Sequence, residues 1–284
     1  MENIWIFLRA LKQEWSKDQI PRQSAAIAYY SIFSLPSLLI VLIAIAGALL
    51  GNDVVEQQVF DSIDNLVAGP AADALKVGVQ GAARAPKSAV MTLIGLGLML
   101  LAATAVLRQL QASLDAILGG VKSKHAGLMD IAKRYLLPLI LVIFAAVLLL
   151  FSVVMTALLS IANERAAAWI NLPASLLNDL NTLFSLVFLT FAFFILYRAL
   201  PAKRLAVFPT FVGSIATTLL FGLGRYGLGV YFQSSSVGAA YGVAASVLIL
   251  LVWIYYSAHI FLLGAEIIDI LSNWKEIRKR LKKS

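Results

Sequence analysis

The chain has no cysteine and only two histidines, His125 and His259, among its 284 residues. Without cysteine there is no disulfide, no thiol nucleophile and no thiolate metal site. Metal-dependent nuclease chemistry wants clustered histidines or carboxylates, and two isolated histidines do not supply them, so no metal is expected. No H-E-x-x-H, Walker A or G-x-S-x-G pattern occurs, and no nucleophile can be paired with a base. The expectation is a protein that is not an enzyme and carries no cofactor. Charge is scarce as well. Only 13% of residues are charged and 61% are hydrophobic, against about 25% charged in an average soluble domain. Too little polar surface remains to cover a soluble core, so lipid must be the solvent for the exterior.

What is abundant is long apolar sequence. Runs of twenty or so apolar residues recur, each able to cross a hydrocarbon core of ~30 Å. They predict six spans, at about 24–50, 89–111, 135–160, 178–199, 207–231 and 240–270. The first run is too long for the apolar region of a signal peptide and is expected to be an uncleaved span. Before it, in 1–22, Ile4, Phe7, Leu8, Leu11 and Trp15 recur at helical spacing. That predicts an amphipathic helix lying in the membrane interface and stopped by Pro21. Residues 51–88 hold five acids and predict a helical loop between spans 1 and 2. Gly119-Gly120 breaks the chain after span 2. Residues 271–284 form a basic tail.

The charges orient these spans. Of the 23 Lys and Arg residues, eighteen fall on alternate connections. They are Arg9, Lys12, Lys17 and Arg22; Arg108, Lys122, Lys124, Lys133 and Arg134; Arg198, Lys203 and Arg204; and six in 275–283. Short cytoplasmic loops keep positive charge and translocated loops lack it. The expected architecture is therefore all-α and polytopic, with six transmembrane helices across 23–270 and both termini cytoplasmic. The net charge of +8 follows from this sorting and from attraction to anionic inner-leaflet lipid, not from nucleic acid. Asp61 and Asp64 read as a solvated helix face.

Span 6 carries the most chemistry. Counted from His259 at 100° per residue, Tyr241, Ala245, Leu248, Val252, Tyr255, Leu263 and Glu266 fall within about 40° of one line. The opposite face, with Val243, Val247, Leu250, Ile254, Phe261 and Ile268, reads as lipid-facing. Ionisable groups inside a bilayer are costly and face a bundle interior or a wet cavity. The polar face is thus either a substrate path or a set of interhelical hydrogen bonds. In span 1, Ser24, Ser31 and Ser34 share a face with Tyr30 at its edge, which reads as close packing or a cavity lining. In span 5, Gly222, Gly224 and Gly227 match a dinucleotide fingerprint, but inside an apolar helix they read as packing glycines. Gly213, Gly224 and Gly227 are expected to lie on one packing face with Thr217. Arg225 either snorkels, pairs with Asp179 or binds an anionic head group.

Several stretches resemble one bacterial family: Leu196-Tyr-Arg-Ala-Leu-Pro201, Tyr241-Gly-Val-Ala-Ala-Ser246, Val252-Trp-Ile-Tyr-Tyr-Ser257 and Leu262-Leu-Gly-Ala-Glu266. With Ala28-Tyr-Tyr-Ser31 and Ser34-Leu-Pro36, they are similar to the YihY/virulence factor BrkB family of inner-membrane proteins. The resemblance covers about residues 20–270. It implies six spans, a bacterial inner-membrane location and a transporter linked to envelope integrity and lipid movement. The family's former ribonuclease BN label finds no matching chemistry here. Ser37 stands where relatives often have proline, and His259 where they often have glutamine, so Glu266 and Tyr241 are stronger candidates than His259 for a conserved role.

The first expectation is an inner-membrane transporter of a lipid or amphipathic anion. Its substrate path would be drawn from Tyr30, Ser34, Arg225, Tyr241, Tyr255, His259 and Glu266. With no ATP site, uphill transport needs an ion gradient. The alternative is a non-transporting scaffold of an envelope complex, and the remote one a membrane-bound hydrolase. Membrane lipids and an unidentified lipid or small-molecule substrate are the expected partners; a homo-oligomer is left open.

Overall fold

A computed structural model describes residues 2–32, 34, 57, 59–61, 63–64, 67, 69–83, 89–120, 174–234 and 244–283. The described residues are helical, with turns and no strand. The helices are α1 (Glu2–Lys17), α2 (20–32), α3 (Gly69–Ala83), α4 (Ala89–Leu118), α5 (Ala174–Ala199), α6 (Val207–Ser234), α7 (Ala244–Ser272) and α8 (Trp274–Lys283). Three described segments are long and apolar enough to cross a membrane: Thr182–Ala199, Val207–Phe232 and Val247–Ser272. The predicted span at 135–160 and most of the one at 24–50 lie outside the described residues.

α7 is the axis of the molecule. It packs against α1, α3, α4, α6 and α8, meets α5 through Tyr197 and runs through two apolar clusters. At one end, Ala245, Ile249, Leu250 and Ile254 meet Val59, Ile63 and Val67 and the buried face of α3, Ala71, Ala72, Leu75 and Val79. At the other end, Ala258, Phe261, Leu262, Ala265 and Ile268 meet Ile20, Ile27, Leu114, Leu118, Tyr197 and Leu200. This corrects most of the expected lipid-facing side of span 6: Leu250, Ile254, Phe261 and Ile268 are buried in protein, while Val247 is exposed as expected and Val243 lies outside the described residues. Hydropathy separates polar from apolar, but both bilayer and protein interior are apolar, so a central helix looks amphipathic without exposing its apolar face.

α6 and α7 pair antiparallel through contacts only small residues allow. A Cβ at Gly213 would strike Ile268, one at Gly224 would strike the Tyr256 ring, and one at Gly264 would overlap the Thr217 and Tyr197 hydroxyls. Gly227 is different. Among the described residues nothing lies within 4 Å of where its Cβ would stand, so it makes no close packing contact with them. It follows Gly224 by three residues, a step that falls about 60° short of a full turn and so points away from the Gly224 direction. Thr210, Ser214, Thr217 and Thr218 along α6 each donate to the carbonyl four residues before, which satisfies a hydroxyl that lipid cannot.

The N-terminal helix is not a free interfacial element. Trp5 and Leu8 are exposed, but Ala10 is buried with Ile270 and Ile277, and Phe7 packs beside Trp274 with ring centroids 6.2 Å apart. Three of the five residues of the apolar stripe that reads as membrane-facing, Phe7, Leu11 and Trp15, are therefore docked on protein. Nor does Pro21 stop α1. The chain breaks at Asp18 and Gln19, with Gln19 in the left-handed region at φ 50°. Pro21 then sits in the first turn of α2, where its missing N–H has no intrahelical partner to lose.

The basic connections converge on one end. α4 runs on past residue 111 to Leu118 and ends at Gly119, whose φ is 70°. Lys203, from the bend after α5, donates to the Leu118 carbonyl at 2.9 Å, placing a cation on the negative end of α4. The Ala202 N–H donates to Asp115 Oδ1 at 2.8 Å. Arg280 of α8 lies 3.6 Å from Glu14 of α1.

Candidate functional site

Where α1 turns into α2, two of its side chains reach into the bundle and meet α7. Trp15 Nε1 donates to His259 Nε2 at 2.9 Å. Three residues on, the Asp18 carboxyl group comes near that of Glu266. His259 and Glu266 are two helical turns apart on one face of α7, and Trp15 and Asp18 are one turn apart on α1. Glu266 is 1% exposed, and its Oε1 has no hydrogen-bond partner; nor has His259 Nδ1. Because His259 Nε2 accepts the hydrogen bond from Trp15 Nε1–H, that nitrogen carries no hydrogen and the imidazole is the neutral tautomer with its hydrogen on Nδ1. The Tyr255 ring lies 5.8 Å from that of His259.

Charged groups ring this contact. Lys17 and Arg280 engage Glu14, and the Glu14 hydrogen bond raises the Lys17 ammonium pKa above its ordinary value. Asp269 accepts from Asn273 Nδ2 at 2.8 Å and is faced by Lys203. Asp18 is displaced upward, first by burial and also by the Glu14 charge; the Lys17 charge and the neighbouring Glu266 side chain oppose the rise. It also stands at the C-terminal, negative end of α1, with its N–H on the Glu14 carbonyl.

Beside this contact a second polar knot ties three helices. Tyr197 is fully buried and donates to the Phe261 carbonyl at 2.7 Å, and its oxygen lies 2.8 Å from Thr217 Oγ1. Its ring stacks on Phe261 at 4.7 Å and 9°.

The structure brings together Tyr255, His259 and Glu266 from the predicted path and adds Trp15 and Asp18. The other candidates lie apart. Ser34 donates to the Ser31 carbonyl, and Tyr30 is partly exposed with its ring edge-on to Tyr29. Arg225 is exposed, and its Nη2 donates to the Asp64 carbonyl at 3.0 Å, a partner the sequence did not suggest. The α6–α7 pairing sets Arg225 near the level of Tyr255 and Tyr256, roughly 16 Å along the axis from Glu266. The Asp179 side chain and all of Tyr241 lie outside the described residues. Trp15 and Asp18 carried a usable signal, being one turn apart on a helix whose apolar stripe includes Trp15. They were missed because that stripe reads equally well as lipid-facing.

A family model for virulence factor BrkB matches residues 11–284. The chain belongs to that family. It is 33% identical over 106 residues to a UPF0761 membrane protein of Cronobacter sakazakii, a match covering 37% of each chain. It is 32% identical over 111 residues to one of Enterobacter sp. (strain 638), covering 39% of this chain and 38% of the relative. It is 33% identical over 109 residues to one of Yersinia pestis (strain Pestoides F), covering 38% and 37%. These matches thus span well under half the length of each relative. No solved structure matches the chain. Every one of these relatives is named as a membrane protein, in keeping with the three apolar segments long enough to span.

Proposed function

We propose that this chain is a bacterial inner-membrane transporter of a lipid or other amphipathic anion. The observation that carries the reading is the face of α7 on which His259 and Glu266 stand inside the bundle with unpartnered polar atoms. A buried carboxyl group with an unsatisfied oxygen in apolar surroundings costs free energy. Such residues mark ion and substrate pathways. The six-span arrangement with both termini cytoplasmic belongs to the same proposal. The meeting of α1, the end of α4, the bend after α5 and α8 at one basic end supports it. Arg225, toward the opposite end of α6, offers a cation for an anionic head group.

Native mass spectrometry of gently purified chain tests the ligand. Wild-type protein should retain an anionic lipid or amphipathic anion, and both Arg225→Ala and Glu266→Gln should reduce its occupancy. Bare wild-type protein, or unchanged occupancy in both variants, counts against the reading. Topology is tested separately. Without native cysteines, Asp64→Cys should label from outside, and Lys122→Cys and Lys203→Cys from inside only.

A further inference from the structure

We infer that the groove between α5 and α6 holds an acyl chain of an anionic phospholipid whose head group rests on Arg198. None of the residues lining this groove is on α7, so the inference does not depend on the transport reading.

The groove has a volume of about 430 Å³. Its α5 wall runs from Leu186 to Phe194 and its α6 wall from Phe211 to Leu219. Val187, Phe191, Phe211 and Leu219 on these walls are exposed. Phe194 and Phe211 meet edge-on at the end nearest the connection between the helices, with ring centroids 6.4 Å apart. Between the walls, the Thr190 and Thr218 oxygens lie 3.0 Å apart, and each is also within hydrogen-bond distance of the carbonyl four residues before it. Both hydroxyls are thus satisfied within the protein, and the groove asks for an apolar occupant.

Its length suits one leaflet. Eight residues of helix cover about 12 Å, most of the ~15 Å that is half of a hydrocarbon core. Thr182–Ala199 and Val207–Phe232 are each long enough to cross a membrane, so the connection 200–206 lies at a membrane face and the groove descends from it. Arg198 stands one turn beyond Phe194 toward that face, about 6 Å further along the axis.

The charge at this lip selects the head group. Arg198 is exposed, and its guanidinium carbon lies 5.8 Å from the centroid of the Phe194 ring, which ties it to the groove. Stacking on a ring engages the face of a guanidinium and leaves its N–H edge to receive a phosphate. Arg204 is exposed in the same connection, and neither arginine is in an ion pair among the described residues. The acids that meet this connection are engaged elsewhere: Asp115 accepts from the Ala202 N–H, and Asp269 is faced by Lys203. A cation above an apolar groove matches an anionic head above its tail. A second copy of the chain fits less well. A two-fold axis along the membrane normal would set both Arg198 residues at one level, like charge against like charge.

Full-length protein with the photocrosslinker p-benzoylphenylalanine in place of Phe191 tests this. It is irradiated in nanodiscs of equal phosphatidylcholine and phosphatidylglycerol, and its adducts are identified by mass spectrometry. They should carry phosphatidylglycerol in roughly fivefold excess over the nanodisc ratio, equivalent to the ~1 kcal/mol of one arginine at an anionic surface. Arg198→Gln should return them to about the nanodisc ratio. Ile215→Trp, which fills the groove from α6, should remove most lipid adducts at position 191. The same photocrosslinker at Leu223, exposed on α6 but outside the groove, should give adducts at the nanodisc ratio. The inference is overturned if position 191 shows no excess, if either variant leaves its adducts unchanged, or if position 223 shows the same excess. Adducts to another segment of the chain or to a second copy, in place of lipid, would assign the groove to protein and also overturn it.

Discussion

Gly264→Ala is the substitution for which the packing makes the sharpest demand. The added methyl would overlap Thr217 Oγ1 and the Tyr197 hydroxyl, which belong to different helices and are both fully buried. Neither can step aside freely. Tyr197 is held by the Phe261 carbonyl and by stacking on the Phe261 ring, and Thr217 by the Gly213 carbonyl. Overpacking of this kind costs about 1–3 kcal/mol. Displacing the two hydroxyls forfeits about 0.6 kcal/mol for each interhelical hydrogen bond, the average found in membranes. The better helix propensity of alanine returns about 0.5–1 kcal/mol. The net expectation is a loss of about 2–3 kcal/mol, a shift of roughly thirty- to a hundred-and-fiftyfold in the unfolding equilibrium. Unfolding in mild detergent with rising dodecyl sulfate, followed by tryptophan fluorescence, reads this directly. Gly222→Ala is the matched control. It is in the same pair of helices, but among the described residues nothing lies within 4 Å of its Cβ position, so it should be neutral or stabilising by up to about 1 kcal/mol. A Gly264→Ala protein as stable as wild type, or a Gly222→Ala protein damaged as badly, would refute the α6–α7 packing described here.

Tyr197→Phe keeps the ring stacking and removes the hydroxyl, and should cost about 0.6–1.5 kcal/mol in the same assay; no loss would mean the knot of α5, α6 and α7 is not formed. Trp15→Phe removes the donor to His259 and should speed hydrogen exchange across α1 while leaving α5 and α6 protected; unchanged exchange in α1 would argue against that contact. Burial raises Asp18 above its ordinary 3.8, so over that interval the folded state binds more protons than the unfolded one. Stability should therefore be greatest below about pH 4 and fall as pH rises through the displaced value. Asp18→Asn should flatten that part of a stability–pH profile, and a profile with the wild-type slope would contradict the assignment.

The membrane class was legible because it rests on composition and run length, which lipid dictates one residue at a time. The convergence of basic segments was legible for a similar reason, since Lys and Arg avoid translocation whatever they later touch. The glycines at 213 and 224 could be read as a packing face because 100° per residue fixes their direction. Gly227 could not be separated from them, because a three-residue step from Gly224 turns only 60° from the line and the decision depends on which neighbour lies there. Glu266 stood out as an acid within an apolar run. Its partner did not: Asp18 lies 248 positions earlier in an ordinary polar segment, and nothing local distinguishes a carboxyl group that meets another from one that meets water. The Arg225 contact was hidden likewise, because its acceptor is a backbone carbonyl, which sequence cannot mark.

The central claim is that the polar face of α7 serves movement of an amphipathic anion across the membrane. Its most direct test is the translocation rate of fluorescently labelled phosphatidylglycerol in proteoliposomes, read by quenching of the outer leaflet with dithionite. Wild-type protein should move label between leaflets well above protein-free vesicles, with Glu266→Gln markedly slower although folded. Movement at the protein-free rate by folded wild type, or equal rates for wild type and Glu266→Gln, would contradict it.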